Sequence, residues 1–379
     1  MRKNILIFGH SYGPQFIDIS NQYSQLFDKK THSVTVVYLV GEPSADIRLR
    51  HCADEVIFLN APKSVTRGLK IEAIKKMLQM TREKNFSIII CHRYKPTYIM
   101  LWVARFQKIP ALFFIMHELG TLKSIARKLL IAALARKNMI FGGVSNAVRD
   151  DMRRDIWRVP SARVITLYNM IDVELTESKL LNREAARAEL KLSADDFVFG
   201  NIGRLVKNKD QKTLINSFAA IQAQCPNAKL LIAGSGNLEQ ELKHLVQELK
   251  ITDSVIFTGF LLDAFSYMKA FDVYISSSTQ EAFGRVLIEA MVAQVPIIAT
   301  KVNGVPEVIG DTGPLVLAGD SATLAKEMFK AYEDKATLSA WGMRGYQRAV
   351  KEFSQRKFHE IFWNLPLLRS NLNSTHLDC

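Results

Sequence analysis

Two α/β domains in tandem, each wound around a parallel sheet, are predicted by three observations. The chain is 379 residues long, short apolar runs alternate with amphipathic stretches, and a charged, strand-free break interrupts the middle. That length exceeds what one ordinary core serves and suits two domains. Strand-sized runs rich in β-branched and aromatic residues, separated by helical periodicity, are the pattern of successive βα units. The break spans 174–196. It divides the chain into a first domain over 1–172, a linker over 173–196, a second domain over 197–345 and a C-terminal helix with a frayed tail over 346–379.

In the first half the strand candidates are 5–8, 34–40, 56–59, 88–91, 111–116, 140–144 and 164–167. In the second half they are 197–202, 229–233, 255–258, 273–275, 296–299 and 313–316. The opening apolar run ends at Gly9 and His10, too short for a signal peptide, so it reads as a first buried strand in a cytoplasmic protein. From Trp341 to Trp363 a basic amphipathic helix is expected, carrying Tyr346, Val350, Phe353, Phe358, Ile361 and Phe362. It should pack back toward the first domain, and the polar chain beyond Pro366 should fray.

Composition excludes several classes. Hydrophobic residues make up 48% and charged residues 23%, an ordinary globular balance without a membrane-length apolar span. Cys52, Cys91, Cys225 and Cys379 form no C-x-x-C pair, which argues against a zinc site or a disulfide framework. The net charge of +13 is one-sided: residues 1–172 carry 27 Lys+Arg against 13 Asp+Glu, and residues 173–379 carry 23 against 24. Such a field suits an acidic partner for the first half, whether an anionic membrane, nucleic acid or an acidic substrate, the structural alternative being a solvated basic face. Two basic amphipathic stretches sharpen this. One places Lys63, Arg67, Lys70, Lys75 and Lys76 among Val65, Leu69, Ile71, Ile74, Met77 and Leu78. The other places Lys123, Arg127, Lys128, Arg136 and Lys137 around Leu122, Ile125, Leu129, Leu130, Ile131 and Leu134. Their apolar faces either meet lipid or pack on the sheet with only the charges showing.

Ligands of doubly wound sheets sit beyond the carboxyl ends of the strands, so the loops leaving each strand are where chemistry is sought. Neither G-x-G-x-x-G nor G-x-x-x-x-G-K-[ST] follows any strand, and no D-x-D is present to clamp a metal–diphosphate complex. A diphosphate would therefore be neutralised by side-chain cations and helix N-termini. Arg204 and Lys209 stand on the loop after 197–202 and supply such cations. Gly234-Ser235-Gly236 opens the helix after 229–233. After 273–275 and a polar run comes Glu281-Ala282-Phe283-Gly284-Arg285-Val286-Leu287-Ile288-Glu289. Two carboxylates at that spacing, one on the loop and one two turns into a helix, can grip two parts of a polyol. The amides at the helix start can meet a phosphate. As a purely structural alternative, Glu281 is a helix-start acid and Glu289 a surface residue, but Glu289 lies in an apolar stretch where a lone carboxylate is costly.

Gly203-Arg204-Leu205 with Lys209, Gly234-Ser235-Gly236, Phe257-Thr258-Gly259, the Glu281…Glu289 pair, Glu289-Ala290-Met291 and Gly304-Val305-Pro306-Glu307 occur in that order. Together they resemble the family-four retaining glycosyltransferases of the GT-B fold, strongly over about 195–345 and more weakly before. That resemblance implies two Rossmann-like domains with parallel sheets facing across a cleft. The first would bind an acceptor and the second a nucleotide-sugar donor. Arg204 and Lys209 would hold the donor diphosphate, Glu281 the transferred sugar and Glu289 the ribose. Backbone amides from Phe283 through Gly284 and Arg285 to Val286 would meet phosphate or sugar. Gly203, Gly234, Ser235, Gly236, Gly259 and Phe260 would complete the donor site. His117, following the strand 111–116, would reach the sugar from the first domain as a catalytic residue, with Gly13 and Ser145 on the acceptor side. Asn169 and Asp172 resemble further family positions.

The resemblance further implies a hexosyltransferase that needs neither cofactor nor metal, with uridine diphosphate sugars favoured over guanosine ones as donor. A growing glycan or lipid-linked acceptor of bacterial lipopolysaccharide or polysaccharide synthesis would take the hexose. No nucleic acid partner is expected, and attachment to the inner face of the cytoplasmic membrane would be peripheral. The sequence departs from the family at three places. The loop Gly9-His10-Ser11-Tyr12-Gly13-Pro14 lacks paired glycines, and Gln294 and Asn303 replace usual glycines. The rival readings are a nucleotide-sugar epimerase, a phosphorylase and a basic nucleic-acid-binding protein.

Overall fold

The computed structural model describes residues 2–62 and 70–373. The chain divides into two compact units, one formed by Met1–Tyr168 with Phe358–Cys379 and the other by Asn169–Lys357. The first unit holds seven strands: β1 Lys3–Gly9, β2 His32–Tyr38, β3 Glu55–Phe58, β4 Ile88–His92, β5 Ala111–Met116, β6 Met139–Gly143 and β7 Val164–Thr166. They lie in the order β3-β2-β1-β4-β5-β6-β7, every neighbouring pair parallel. The second holds β8 Phe197–Ile202, β9 Ala228–Ala233, β10 Val255–Gly259, β11 Val273–Ser276, β12 Ile297–Thr300 and β13 Leu315–Val316. Their order is β10-β9-β8-β11-β12-β13, again parallel throughout.

Each expected strand is found among the described residues, with ends shifted by a residue or two. Continuous apolar runs mark strands covered on both faces. Ile5, Leu6, Ile7 and Phe8 of β1 are all fully buried, as are Val198 and Phe199 of β8. In both sheets the winding direction reverses beside the first strand, between β1 and β4 and between β8 and β11. Loops leaving two such strands turn to opposite faces and open a crevice at the carboxyl edge.

Three sequence expectations change. The stretch 173–196 is not a free linker: it forms helices Val173–Lys179 and Arg183–Glu189 of the second unit. Its charges are structural, since Arg187 Nη2 and Arg183 Nη2 donate to the two oxygens of Asp272 at 2.8 and 2.6 Å. Asp272 also accepts the Val198 N–H at 2.7 Å, and so ties this segment to β8. The tail is not one helix. Helix Lys335–Arg348 passes through a wide turn, Ala349–Phe353, and then breaks, because Ile171 pairs with the extended backbone around Ser354. Helix Gln355–Trp363 buries Phe358 and Phe362, and in the first unit Trp363 Nε1 donates to the Leu26 carbonyl at 3.1 Å. Beyond Pro366 the chain forms helix Pro366–Asn373 with Leu368 buried, because proline suits the first helical turn.

Candidate functional site

At the β8/β11 switch point two loops are laced together. The backbone of Thr279 donates to the Asn208 carbonyl, Ser277 Oγ donates to the Lys209 carbonyl, and both bonds measure 2.9 Å. Across this seam Lys209 Nζ forms an ion pair with Glu281 Oε2. Glu281 is fixed from a second side, since its N–H donates to Asn303 Oδ1 at 3.2 Å. Arg204 stands on the same loop as Lys209 but is exposed and makes no ion pair among the described residues. One cation is thus occupied by a carboxylate while its neighbour is available to an anion.

Beneath the seam lies Tyr274, whose hydroxyl donates to the Ile202 carbonyl at 3.2 Å. Burial first, and then the charges of Glu281 and Glu289, push its pKa up. Both carboxylates therefore act on one buried hydroxyl, although they are eight positions apart. Glu289 is half-buried in the second turn of helix Arg285–Val292. Phe283 is a core residue, its ring edge-on to Phe353 with centroids 5.5 Å apart, so only its backbone can serve a ligand. Gly284 holds φ +89° ahead of the helix, and the first-turn amides of a helix point out of its N-terminus, where an anion can meet them.

The glycine turn after β9 has a packing reason. A Cβ on Gly234 would come within 1.9 Å of the Gly203 carbonyl oxygen, and one on Gly236 within 2.2 Å of the Leu205 carbonyl oxygen. The Ser235 carbonyl accepts the Leu205 N–H at 3.0 Å. This turn therefore braces the Arg204 loop. The Gly259 carbonyl accepts the Gly234 N–H at 2.8 Å, and the next residue, Phe260, is 70% exposed at the carboxyl end of β10.

In the first unit the carboxyl edge between β1 and β4 collects His10, Arg93, Lys95 and His117. His117 Nε2 and His92 Nδ1 lie 3.0 Å apart. His92 is fully buried against the Tyr23 ring, and burial depresses its pKa to about 3, so this ring orients His117 as a neutral partner. Burial and then Lys95 and Arg93 hold His10 down at about 4. Arg93 has φ +71° and ψ 169°, a sparsely populated region for a non-glycine residue. It is held there by its N–H bond to the Ile115 carbonyl and by an ion pair to Glu118 at 3.2 Å.

The two residues expected on the acceptor side both cap helices. The Ser145 hydroxyl is buried and accepts the Val148 N–H at 3.1 Å as a helix cap. Gly13 caps helix Pro14–Ser24, its carbonyl accepting Phe16 N at 2.8 Å. Asp172 likewise caps, accepting Leu175 N. Asn303, His92, Arg93 and His10 were not singled out from the sequence as functional residues. For Arg93 the signal was present, since it directly follows a central strand. Asn303 and Gln294 do sit at positive φ, 39° and 60°. Asn303 adds the side-chain bond to Glu281 that a glycine could not make.

Comparisons with known proteins follow the same division. Residues 182–348 match the family model described as Glycosyl transferases group 1, and residues 22–175 match Glycosyltransferase Family 4. A capsular polysaccharide biosynthesis glycosyltransferase of Staphylococcus aureus, CapM, is 31% identical over 195 residues, 50% of each chain. A lipopolysaccharide core biosynthesis glycosyltransferase of Rhizobium meliloti, LpsD, is 29% identical over 210 residues, 54% of this chain and 60% of the relative. The chain spans about half the length of the first curated relatives it matches. In fold it is similar to Anabaena HepE, solved in complex with UDP, with a TM-score of 0.77 at 22% identity over 99% of this chain and 100% of that one.

Proposed function

We propose, from the premise that both units of this chain are homologous to GT-B glycosyltransferases, that it is a retaining hexosyltransferase using a nucleotide-diphosphate sugar. The observation that carries this reading is the β8/β11 seam, where an available cation, an ion-paired lysine and two carboxylates meet a helix start. Cleavage of the bond between the anomeric carbon and the diphosphate oxygen leaves negative charge on the diphosphate. Arg204, with Lys209 and the amides of Arg285 and Val286, is suited to offset that charge. Glu281 is fixed by Lys209 and Asn303 and suits hydroxyls of the sugar, whereas Glu289 suits the ribose. Among the described residues no carboxylate stands out as a nucleophile, which favours front-face attack with the leaving phosphate taking the acceptor proton. Side-chain cations, rather than a metal, would balance the diphosphate. UDP is the favoured nucleotide, supported by the fold it shares with HepE. The acceptor would be a glycan or lipid-linked glycan of a bacterial surface polysaccharide or lipopolysaccharide, bound by the first unit. There the cluster of His10, Arg93 and Lys95 suits an anionic group.

Product analysis tests this reading. With a labelled UDP-sugar and an acceptor alcohol, a glycoside of unchanged anomeric configuration is expected, at the same rate in chelator. Release of an epimerised sugar with no acceptor incorporated would favour the epimerase reading instead.

Anionic membrane docking by the first unit is part of the same proposal. Helix Ile125–Leu134 buries Ile131 but leaves Ile125 68% and Leu129 56% exposed, beside exposed Lys123. In the other stretch, helix Ile71–Lys84 buries Met77 against the unit. Lys63, Val65, Arg67 and Leu69 lie outside the described residues. Exposed apolar residues flanked by cations suit lipid headgroups. Sedimentation with anionic vesicles should therefore exceed that with neutral ones. It should fall from about 0.1 to 0.5 M salt as screening shortens, and fall further in Leu129→Glu. Equal recovery with both vesicle types would rule this docking out.

A further inference from the structure

A cavity of about 560 Å3 opens at the amino-terminal edge of the first sheet. This is the end opposite His10, Arg93 and His117, which follow the carboxyl ends of β1, β4 and β5. Strand starts and the turns before β5 and β6 form its floor, and Trp363 and Leu368 of the two C-terminal helices form a wall. Its lining divides by chemistry. Ile109 and Leu368 are buried apolar residues, and the Trp363 indole is held in place by its bond to the Leu26 carbonyl. Lys3, Lys108 and Arg136 line it as well, with no Asp or Glu among the lining residues.

None of these three cations forms an ion pair among the described residues, and Arg136 donates one long bond of 3.4 Å to the Arg105 carbonyl. Asp28 acts electrostatically on the lining residue His32 but does not itself line the cavity. Three cations lining one cavity, with no carboxylate among the lining residues, favour an anion held between them. A bare anion would leave the apolar wall uncovered, while an uncharged hydrocarbon would leave the cations unmatched. The volume lies within the range of small-molecule sites.

We propose that this cavity binds a small amphiphilic anion, an aliphatic body ending in one phosphate. The hydrocarbon lies against Ile109, Leu368 and the Trp363 indole, and the phosphate lies among Lys3, Lys108 and Arg136. Bound there, it would clip the two C-terminal helices to the sheet. The site is separate from the donor site and does not rest on the transferase reading.

The test uses the full chain, titrated with decyl phosphate below its micelle concentration and followed by tryptophan fluorescence and melting temperature. A saturable fluorescence change and a raised melting temperature are expected, because a ligand of the folded state stabilises it. Inorganic phosphate or decanol alone should do neither. Lys3→Glu with Lys108→Glu changes two exposed side chains, and should weaken the response by about tenfold or more. Trp363→Phe should remove most of the fluorescence change but keep the thermal shift, and Arg204→Ala should keep both. Phosphatidic-acid vesicles separate the sources: a matching Trp363 response indicates a membrane lipid, and its absence beside a decyl phosphate response indicates a soluble ligand. No saturable response, an equal response to decanol, or an unchanged affinity in the double-glutamate variant would overturn the proposal.

Discussion

Arg204→Ala lowers turnover by about 10²- to 10³-fold, the loss that follows removal of one preorganised donor from a developing oxyanion, roughly 3–4 kcal/mol. The argument rests on what surrounds each cation. Lys209 is engaged by Glu281, whereas Arg204 leaves the same loop exposed and without a carboxylate. An exposed guanidinium with no protein partner contributes little to folding, so the melting temperature should hold within a degree or two while kcat collapses. Lys209→Ala is a less clean experiment, since it removes a cation and also releases Glu281 from its position. A kcat for Arg204→Ala within about threefold of wild type would show that the diphosphate charge is balanced elsewhere.

The second large effect is on stability. Asp272→Ala destabilises the second unit by about 3–5 kcal/mol, the usual cost of removing one partner from a buried ion pair. The Arg187 side chain is 5% exposed, and Asp272 also accepts Arg183 and the Val198 N–H. Its loss leaves the buried Arg187 guanidinium without its carboxylate partner, with only backbone carbonyls and the more distant Asp196 to offset its charge, and a strand amide without its acceptor. Denaturant unfolding measures this directly. Arg183→Ala, whose side chain is 43% exposed, should cost about 1 kcal/mol or less. Equal effects of the two variants would mean that the segment 173–196 is not anchored through Asp272.

The alternation of strands was legible because parallel strands buried on both faces must be apolar along their whole length. No composition rule reports that Arg183 and Arg187 both reach Asp272, so the segment containing them looked like a linker. The break at Ser354 was hidden for a related reason. Helical periodicity continues through it, and only the backbone pairing with Ile171 interrupts the helix. In the site, Arg204, Lys209, Glu281 and Glu289 could be placed from the loops that follow β8 and β11. The Lys209–Glu281 ion pair could not, because its partners are 72 positions apart and register between loops is a tertiary property. His92 was hidden by burial: its position reads as the end of an apolar strand, and its meeting with His117 depends on β4 pairing with β5.

Calorimetric titration of the full chain with UDP in chelator, repeated on two glutamate variants, tests the central claim most directly. The claim is that the β8/β11 seam of the second unit holds the donor by side-chain cations and two carboxylates with divided roles. UDP lacks the sugar, so Glu281→Gln should bind it as well as wild type, or more tightly now that Lys209 is freed from its ion pair. Glu289→Gln should weaken binding by tenfold or more, about 1.4 kcal/mol, through loss of the ribose contact. Absence of UDP binding in chelator with recovery on adding manganese, or equal binding by both variants, would contradict it.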